Sequence, residues 1–111
     1  MKRIEAYIQV GKLDDVQAAL FEAGIQGLSV SQVRGYGRQM GNTGGPKAKG
    51  PVLLPKLKVE AVVADEKLGV AIAAITKAAQ TGEIGDGKIF VSEVSEAIRI
   101  RTGERGDAAL D

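Results

Sequence analysis

The segment from Thr81 to Lys88 holds the residues of this chain that are best suited to chemistry, three glycines and a lysine in the pattern Gly82-x-x-Gly85-x-Gly87-Lys88. Glycines allow backbone N–H groups to turn inward around oxygen atoms, and a lysine adds positive charge, so the segment suits a phosphate. It is not a P-loop, because its spacing differs and no Ser or Thr follows the lysine. By itself the pattern also fits a plain turn between a helix and a strand.

A second cationic pattern follows near the end of the chain, where Arg99 and Arg101 alternate with Ile98 and Ile100. In an extended segment both guanidiniums emerge on one side and the isoleucines pack on the other. Two fixed arginines can clamp a polyphosphate. The alternative is an edge strand whose charges prevent aggregation. Together with the glycine-rich segment, the clamp is the favoured interpretation.

The composition of the chain argues against several classes of function. The chain has 111 residues, 44% of them hydrophobic, which suits one domain with one core. A formal net charge of +1 favours neither nucleic acid nor an anionic membrane. The absence of histidine and cysteine removes the commonest general base, the commonest metal ligand and thiolate chemistry. No stretch approaches the ~20 apolar residues of a membrane span, so we expect a cytoplasmic protein without direct membrane insertion.

Hydrophobic periodicity predicts the elements that position these residues. Alternation from Ile4 to Val10 indicates a strand, and helical spacing follows from about Lys12 to Ala23, with Gly24 as the stop. Alternation returns from Leu28 to Val33. The second half repeats this order. The predicted buried stripes of the two helices are Leu13, Val16, Leu20 and Ala23, and Leu68, Ile72, Ile75 and Ala79.

In the second half, strands are predicted over Leu57 to Val63 and Ile89 to Val94. Between them lies a helix for which Asp65 is the predicted N-cap and Gly82 the stop. A tail runs from Ala97 to the end. The order β-α-β, β-α-β predicts an α+β fold, a ferredoxin-like sandwich with a four-stranded antiparallel sheet and both helices on one face.

The sheet face without helices mixes polar and large apolar side chains. We expect this face to be a subunit interface rather than bare solvent surface, because polar members of such a mixture can pair across a contact. The predicted members are Glu5, Tyr7, Gln9, Ser29, Ser31, Lys58, Glu60, Val62, Phe90 and Ser92.

Longer segments carry a resemblance to a known family. The stretches Thr81 to Val91 and Ile98 to Glu104 look like the two signatures of the PII signal-transduction proteins. Gly35-Tyr36-Gly37-Arg38-Gln39 resembles the base of that family's long T-loop, and Leu54-Pro55-Lys56 resembles its return. The opening residues Met1 to Gly27 are similar as well, so the resemblance covers nearly the whole chain. It implies a single domain, 1–111, with a T-loop at 37–54, a B-loop at 81–88 and a C-terminal segment at 97–111.

PII proteins are homotrimers in which ATP and ADP compete for clefts between subunits, and a target enzyme, transporter or regulator reads the signal through the T-loop. By position, the resemblance implies that Gly85 to Lys88 surround the phosphates and that Ser29 lies near the adenine. Glu60 would brace an arginine of the tail. The residues implied to meet the nucleotide are Ser29, Gly35, Tyr36, Gly37, Arg38, Val62, Val63, Gly85, Asp86, Gly87, Lys88, Arg99, Arg101 and Thr102.

Many members of the family also sense 2-oxoglutarate. This effector chelates a Mg²⁺ ion that is held by ATP and by the side-chain oxygen of the glutamine matching Gln39. A lysine matching Lys56 pairs with a carboxylate of the effector. Both residues are present, which makes 2-oxoglutarate and Mg²⁺ expected ligands.

The chain departs from the family in and near the T-loop. Met40 stands where a lysine is usual, and Val10-Gly11 replaces the usual Pro-Phe. The short stretch Gly41 to Pro51 has neither the Tyr nor the Ser that relatives modify, and its remaining charges are Lys47 and Lys49. We therefore expect no standard covalent switch. A flexible basic linker without a partner is the alternative for this loop.

Other functions remain as alternatives. One is a divergent member of the family that senses adenine nucleotides without 2-oxoglutarate and regulates carbon or metal transport. Another is a small enzyme on the same fold, although no carboxylate pair has a catalytic spacing and we expect at most weak incidental ATP hydrolysis. An RNA-binding sandwich is disfavoured because the chain has only four aromatic residues and almost no net charge.

Overall fold

A computed structural model describes residues 1–37 and 52–111. Its strands and helices follow the predicted order. They are β1 (Lys2–Ile8), α1 (Leu13–Glu22), β2 (Ser29–Gly35), β3 (Leu54–Val63), α2 (Leu68–Ala79) and β4 (Lys88–Glu93). Short 3₁₀ turns at Val10–Lys12 and Asp65–Lys67 lead into the two helices, and a third lies at Gly106–Ala109.

The four strands form one antiparallel sheet in the order β2-β3-β1-β4. β1 pairs with a strand on each side, so Ile4 lies opposite both Ala61 of β3 and Val91 of β4. This arrangement confirms the predicted ferredoxin-like sandwich. It also places β2 and β4 at the two edges of the sheet. The segments that follow these strands can therefore contribute to a site at the rim of the sheet.

The core lies between the sheet and the two helices. Alternate residues of β1 and β3 point into it, as period-two patterning requires. Burial of each large aliphatic side chain contributes about 1.5–3 kcal/mol. The buried residues are Ile4, Ala6, Ile8, Val16, Leu20, Ile25, Leu57, Val59, Ala61, Val63, Ala71, Ile75 and Ala79.

The helix stripes are partly as predicted. In α1, Val16 and Leu20 are buried. In α2, Ala71 rather than Ile72 joins Ile75 in the core. Positions 71 and 72 fit the helical period almost equally well, and only the rotation of the packed helix about its axis selects between them.

Asp65 is not the N-cap of the second helix, contrary to the prediction. The 3₁₀ turn that it begins has no side-chain cap, and α2 starts three residues later, at Leu68. The carboxylate of Asp65 instead accepts a hydrogen bond from the amino group of Met1 at 2.9 Å, which holds the pKa of that carboxyl below its usual value. The reason is tertiary: pairing of Lys2 with Val63 brings the start of β1 beside this turn.

The tail is not extended, contrary to the prediction. Residues 98–105, the tail hairpin, fold back so that Ile98 pairs with Arg105. The amide N–H of Arg99 donates to the Glu104 carbonyl at 2.8 Å, and that of Gly103 donates to the Arg99 carbonyl at 2.7 Å. Gly103 supplies the positive φ of 75° that the turn needs. As a result Ile100 lies at the tip, fully exposed within the single chain, instead of packing.

The helix-free sheet face carries the predicted mixture of side chains. Tyr7 lies opposite Lys58, and Glu5 lies opposite both Glu60 and Phe90. The rings of Tyr7 and Phe90 pack edge to face with centroids 5.9 Å apart. Two carboxylates directly opposite one another are unfavourable. Neither helix covers this face within the single chain, and Phe90 on it is 54% exposed.

Candidate functional site

The glycine loop, residues 81–88, is organised by one carboxylate. Asp86 accepts hydrogen bonds from the amide N–H groups of Thr81, at 2.7 Å, and Gly82, at 2.9 Å, and from the Thr81 hydroxyl. The Thr81 hydroxyl also accepts from the amide N–H of Glu83 at 3.2 Å. These bonds, that of the Thr81 hydroxyl foremost, hold the pKa of Asp86 below its usual value. Asp86 was expected to lie beside the phosphates, and its side chain holds the glycine loop in shape.

All three glycines of the loop adopt backbone conformations that other residues rarely reach, with Gly82 at a φ of 88°. Gly85 has a φ of 110° and Gly87 a φ of 103°. Gly87 also lies against β1, because a Cβ atom at this position would stand 1.7 Å from the carbonyl oxygen of Tyr7. The glycines were predicted from their suitability for phosphate. At Gly87 the close approach to β1 is an additional requirement.

Two side chains, one from β3 and one just past the end of β1, contact the middle of the glycine loop. The ammonium group of Lys56 and the side-chain amide of Gln9 both donate to the carbonyl oxygen of Gly85, each at 3.3 Å. Lys56 was predicted as an effector-binding residue, and its ammonium group lies at the rim of the glycine loop. Gln9 was not predicted for the site. Its position just past the end of β1 was the only available signal.

A cleft of about 560 Å³ lies between the glycine loop and the end of β2. It brings together one group of predicted residues, Gly35, Tyr36, Gly37, Lys56, Gly85, Asp86, Gly87 and Lys88. Its wall also includes residues that sequence reasoning did not assign to the site, namely Tyr7, Val33, Arg34, Glu83, Ile84 and Phe90. The cleft combines a cationic lysine, glycine backbone at positive φ and aromatic surface, a combination suited to a phosphorylated ligand with an apolar part.

Among the described residues, the other predicted site residues do not line this cleft. Ser29 and Gly35 stand at opposite ends of β2, six residues or roughly 20 Å apart. Val62 and Val63 line a separate cavity of about 160 Å³ beside Asp107. The described part of one chain therefore does not bring all the predicted residues together at one place.

The Arg99 guanidinium is held by Glu104 of the tail hairpin and by two residues that follow the hairpin. The guanidinium donates to the Glu104 carboxylate at 2.6 Å, to the Ala108 carbonyl at 3.0 Å and to the Asp111 main-chain oxygen. Among the described residues, Glu60 forms no ion pair, so the brace expected from Glu60 is absent within one chain. Arg101 and Thr102 lie in the exposed turn of the hairpin.

Two predicted site residues, Arg38 and Gln39, lie outside the described residues, as does most of the predicted T-loop. Within residues 1–37 and 52–111, no group of three or more acidic side chains could hold a metal ion. The described residues thus offer no complete Mg²⁺ site of their own.

A sequence model described as nitrogen regulatory protein P-II matches residues 1–104. The chain belongs to this family. Nitrogen regulatory protein P-II of Rhodobacter capsulatus is 55% identical over 112 residues, covering 99% of this chain and 100% of the relative. Nitrogen regulatory protein P-II 1 of Escherichia coli K12 is 50% identical with the same coverage.

The fold has a solved counterpart in this family. A crystal structure described as Arabidopsis thaliana PII bound to citrate matches with a TM-score of 0.82 and 39% identity, covering 98% of this chain and 88% of that one. P-II proteins are regulatory signalling proteins rather than enzymes, and that general role is the one the comparisons support. In the described part of the chain, α1 and α2 are both too short to cross a membrane.

Proposed function

We propose that this P-II protein is a cytoplasmic homotrimer that binds ATP or ADP in clefts between its subunits and signals to a target protein through its T-loop. The observation that carries the proposal is the cleft in which the glycine loop faces residues 35–37. Here Lys88 provides a cation, and the glycine backbone at positive φ can turn N–H groups toward an anion.

The separation of the predicted residues supports a site shared between copies. The groups of residues expected to meet the phosphates and the base lie at different places on one chain, with Gly35 and Ser29 at opposite ends of β2. We therefore expect a nucleotide that contacts both groups to draw them from two chains. A trimer would also cover the helix-free sheet face, with its facing Glu5 and Glu60 and its half-exposed Phe90.

We extend the proposal to 2-oxoglutarate. Lys56 lies on the rim of the cleft, and within residues 1–37 and 52–111 its ammonium group donates one long hydrogen bond, to the Gly85 carbonyl at 3.3 Å. A carboxylate is a stronger partner for an ammonium group than a carbonyl is, so an anionic effector can take over this contact. By resemblance, Gln39 would supply the protein ligand to Mg²⁺ beside ATP, and the metal would supply the charge that holds the effector.

The altered T-loop favours a second candidate, a divergent member that senses adenine nucleotides alone and regulates carbon or metal transport. Met40 replaces a lysine near the expected effector position, which removes one positive charge from it. The loop also lacks the Tyr and Ser that relatives modify. The target of either form remains a protein that reads the T-loop.

Isothermal titration calorimetry separates these proposals. Wild-type protein is titrated with ATP, ADP and GTP, with and without Mg²⁺, and the Mg²⁺–ATP complex is then titrated with 2-oxoglutarate. Saturable binding of ATP and ADP supports the nucleotide site, and its absence contradicts it. If 2-oxoglutarate fails to bind under every nucleotide condition, the divergent candidate replaces the nitrogen-sensing one. ATP turnover near the ~10 s⁻¹ of ordinary enzymes would overturn the regulatory proposal.

A further inference from the structure

Glu104 lies at the centre of the tail hairpin and contacts two residues that the resemblance assigns to the nucleotide. Its Oε1 atom accepts hydrogen bonds from Arg99 Nη1, at 2.6 Å, and from the Thr102 hydroxyl, at 2.8 Å. Its main chain contacts the same two residues, since its N–H donates to the Thr102 hydroxyl at 3.2 Å and its carbonyl accepts from the Arg99 N–H at 2.8 Å. One residue thus fixes both side chains.

The Arg99 guanidinium is held on further sides. Its Nη2 atom donates to the carbonyl of Ala108 at 3.0 Å and to the main-chain oxygen of Asp111. Only 23% of the Arg99 side chain is exposed, whereas Arg101 stands in the exposed turn. A guanidinium has more N–H donors than these contacts use, so donors remain for a ligand. An arginine oriented before binding loses less conformational freedom when a phosphate arrives.

We infer that Glu104 is a positioning residue of the nucleotide site, which orients Arg99 and Thr102 for the ligand. This inference rests on the proposed nucleotide binding. Glu60 on β3 was expected to brace an arginine of the tail. Within the single chain, Glu104 of the tail hairpin supplies the carboxylate that holds Arg99. Since Glu104 neutralises part of the charge on Arg99, its benefit must come from orientation rather than from added attraction.

A matched pair of substitutions tests the inference. Glu104→Gln removes the charge and keeps the shape of the side chain, while Glu96→Gln removes a charge from the same tail, where Glu96 contacts Arg105 at 3.4 Å with both side chains exposed. Calorimetry with Mg²⁺–ATP should show affinity about tenfold weaker for Glu104→Gln and unchanged for Glu96→Gln. The same Glu104→Gln change is then made in an Arg99→Ala background. There the further loss of affinity should be smaller than in the wild-type background, because the orientation of Arg99, one of the two side chains that Glu104 holds, is already lost.

Every outcome decides the inference. Unchanged or tighter ATP binding by Glu104→Gln would overturn the inference. Tighter binding would mean that Glu104 competes with phosphate for Arg99. An equal loss in both backgrounds would reduce Glu104 to a purely structural residue. Failure of the wild type to bind ATP would instead overturn the nucleotide proposal, and the positioning role with it. Amide hydrogen exchange at Arg99 and Gly103 without nucleotide, faster in Glu104→Gln, reports separately whether Glu104 holds the hairpin.

Discussion

The backbone of Gly87 lies directly against the carbonyl of Tyr7, with no room for a side chain between them. A Cβ atom at Gly87 would stand 1.7 Å from the Tyr7 oxygen and 2.8 Å from its carbonyl carbon. This contact anchors the end of the glycine loop to β1, the central strand that carries much of the core. The shape of the candidate phosphate site is thereby tied to the sheet.

Gly87→Ala should therefore destabilise the protein and distort the glycine loop. The substitution forces both a positive φ and a clash with backbone, and we expect a loss of about 2–3 kcal/mol in the free energy of unfolding, measured by urea denaturation. Gly82→Ala is the control, because Gly82 has a φ of 88° but no atom within 4 Å of the added Cβ. Equal losses in both variants would mean that contact with Tyr7 contributes nothing.

Asp86 should make stability depend on pH in the acid range. Its pKa in the folded protein lies below the ordinary 3.8, chiefly because the Thr81 hydroxyl and amide donate to it. The stabilisation is fully present above the unfolded pKa and is lost as pH falls through the folded pKa. The difference in unfolding free energy between wild type and Asp86→Asn should thus be constant near neutral pH and shrink below about pH 4.

Glu83→Gln serves as the control for Asp86. It removes one negative charge from the same loop, and the side chain of Glu83 takes no part in the hydrogen bonds around Asp86. A pH dependence that Glu83→Gln alters as much as Asp86→Asn does would show that loop charge, not the bonds to Thr81, is responsible.

The cationic residues of the proposed site should be needed for binding but not for folding. Replacing Lys88 or Arg101 with Ala should weaken nucleotide binding by ~1–3 kcal/mol, because each change removes a charge-assisted contact. Circular dichroism should show an intact fold. Lys77→Ala, on the exposed surface of α2, should bind nucleotide as wild type does. Unchanged affinity in both site variants would mean that the nucleotide site is misplaced.

Lys56 should separate effector binding from nucleotide binding. Lys56→Met should weaken 2-oxoglutarate binding to the ATP complex by ~1–3 kcal/mol and leave ATP binding without the effector nearly unchanged. A matched change is Lys67→Met, since the Lys67 ammonium donates to the Gly24 carbonyl at 3.0 Å at a different loop. Should both variants lose the effector equally, Lys56 has no specific role.

Two exposed phenylalanines test which face the proposed trimer covers. Phe90 is 54% exposed on the helix-free sheet face, and Phe21 is 78% exposed on α1. Phe90→Asp should dissociate the trimer, because it buries another carboxylate near Glu5, whereas Phe21→Asp should leave it intact. Light scattering after size-exclusion chromatography gives the mass of each variant. A trimer that survives Phe90→Asp would place the interface elsewhere.

The sequence by itself determined the fold and the family of this protein. Alternation at Ile4, Ala6 and Ile8 and helical spacing at Val16 and Leu20 predicted elements that the structure confirms, because burial of one face is a local periodic signal. The glycine loop and the tail signature predicted the P-II family, which the comparisons confirm. Both kinds of signal are contained in short stretches of chain.

Only the tertiary structure decided which residues contact one another. Asp65 had the local features of an N-cap, yet strand pairing brings the amino group of Met1 to it. Arg99 and Arg101 alternate like a strand, yet Glu104 folds the segment into a hairpin and holds one arginine. Gly87 has no room for a side chain, because the carbonyl group of Tyr7, eighty residues earlier in the chain, lies against it. Such partners are distant in sequence or depend on a turn, so no local period could reveal them.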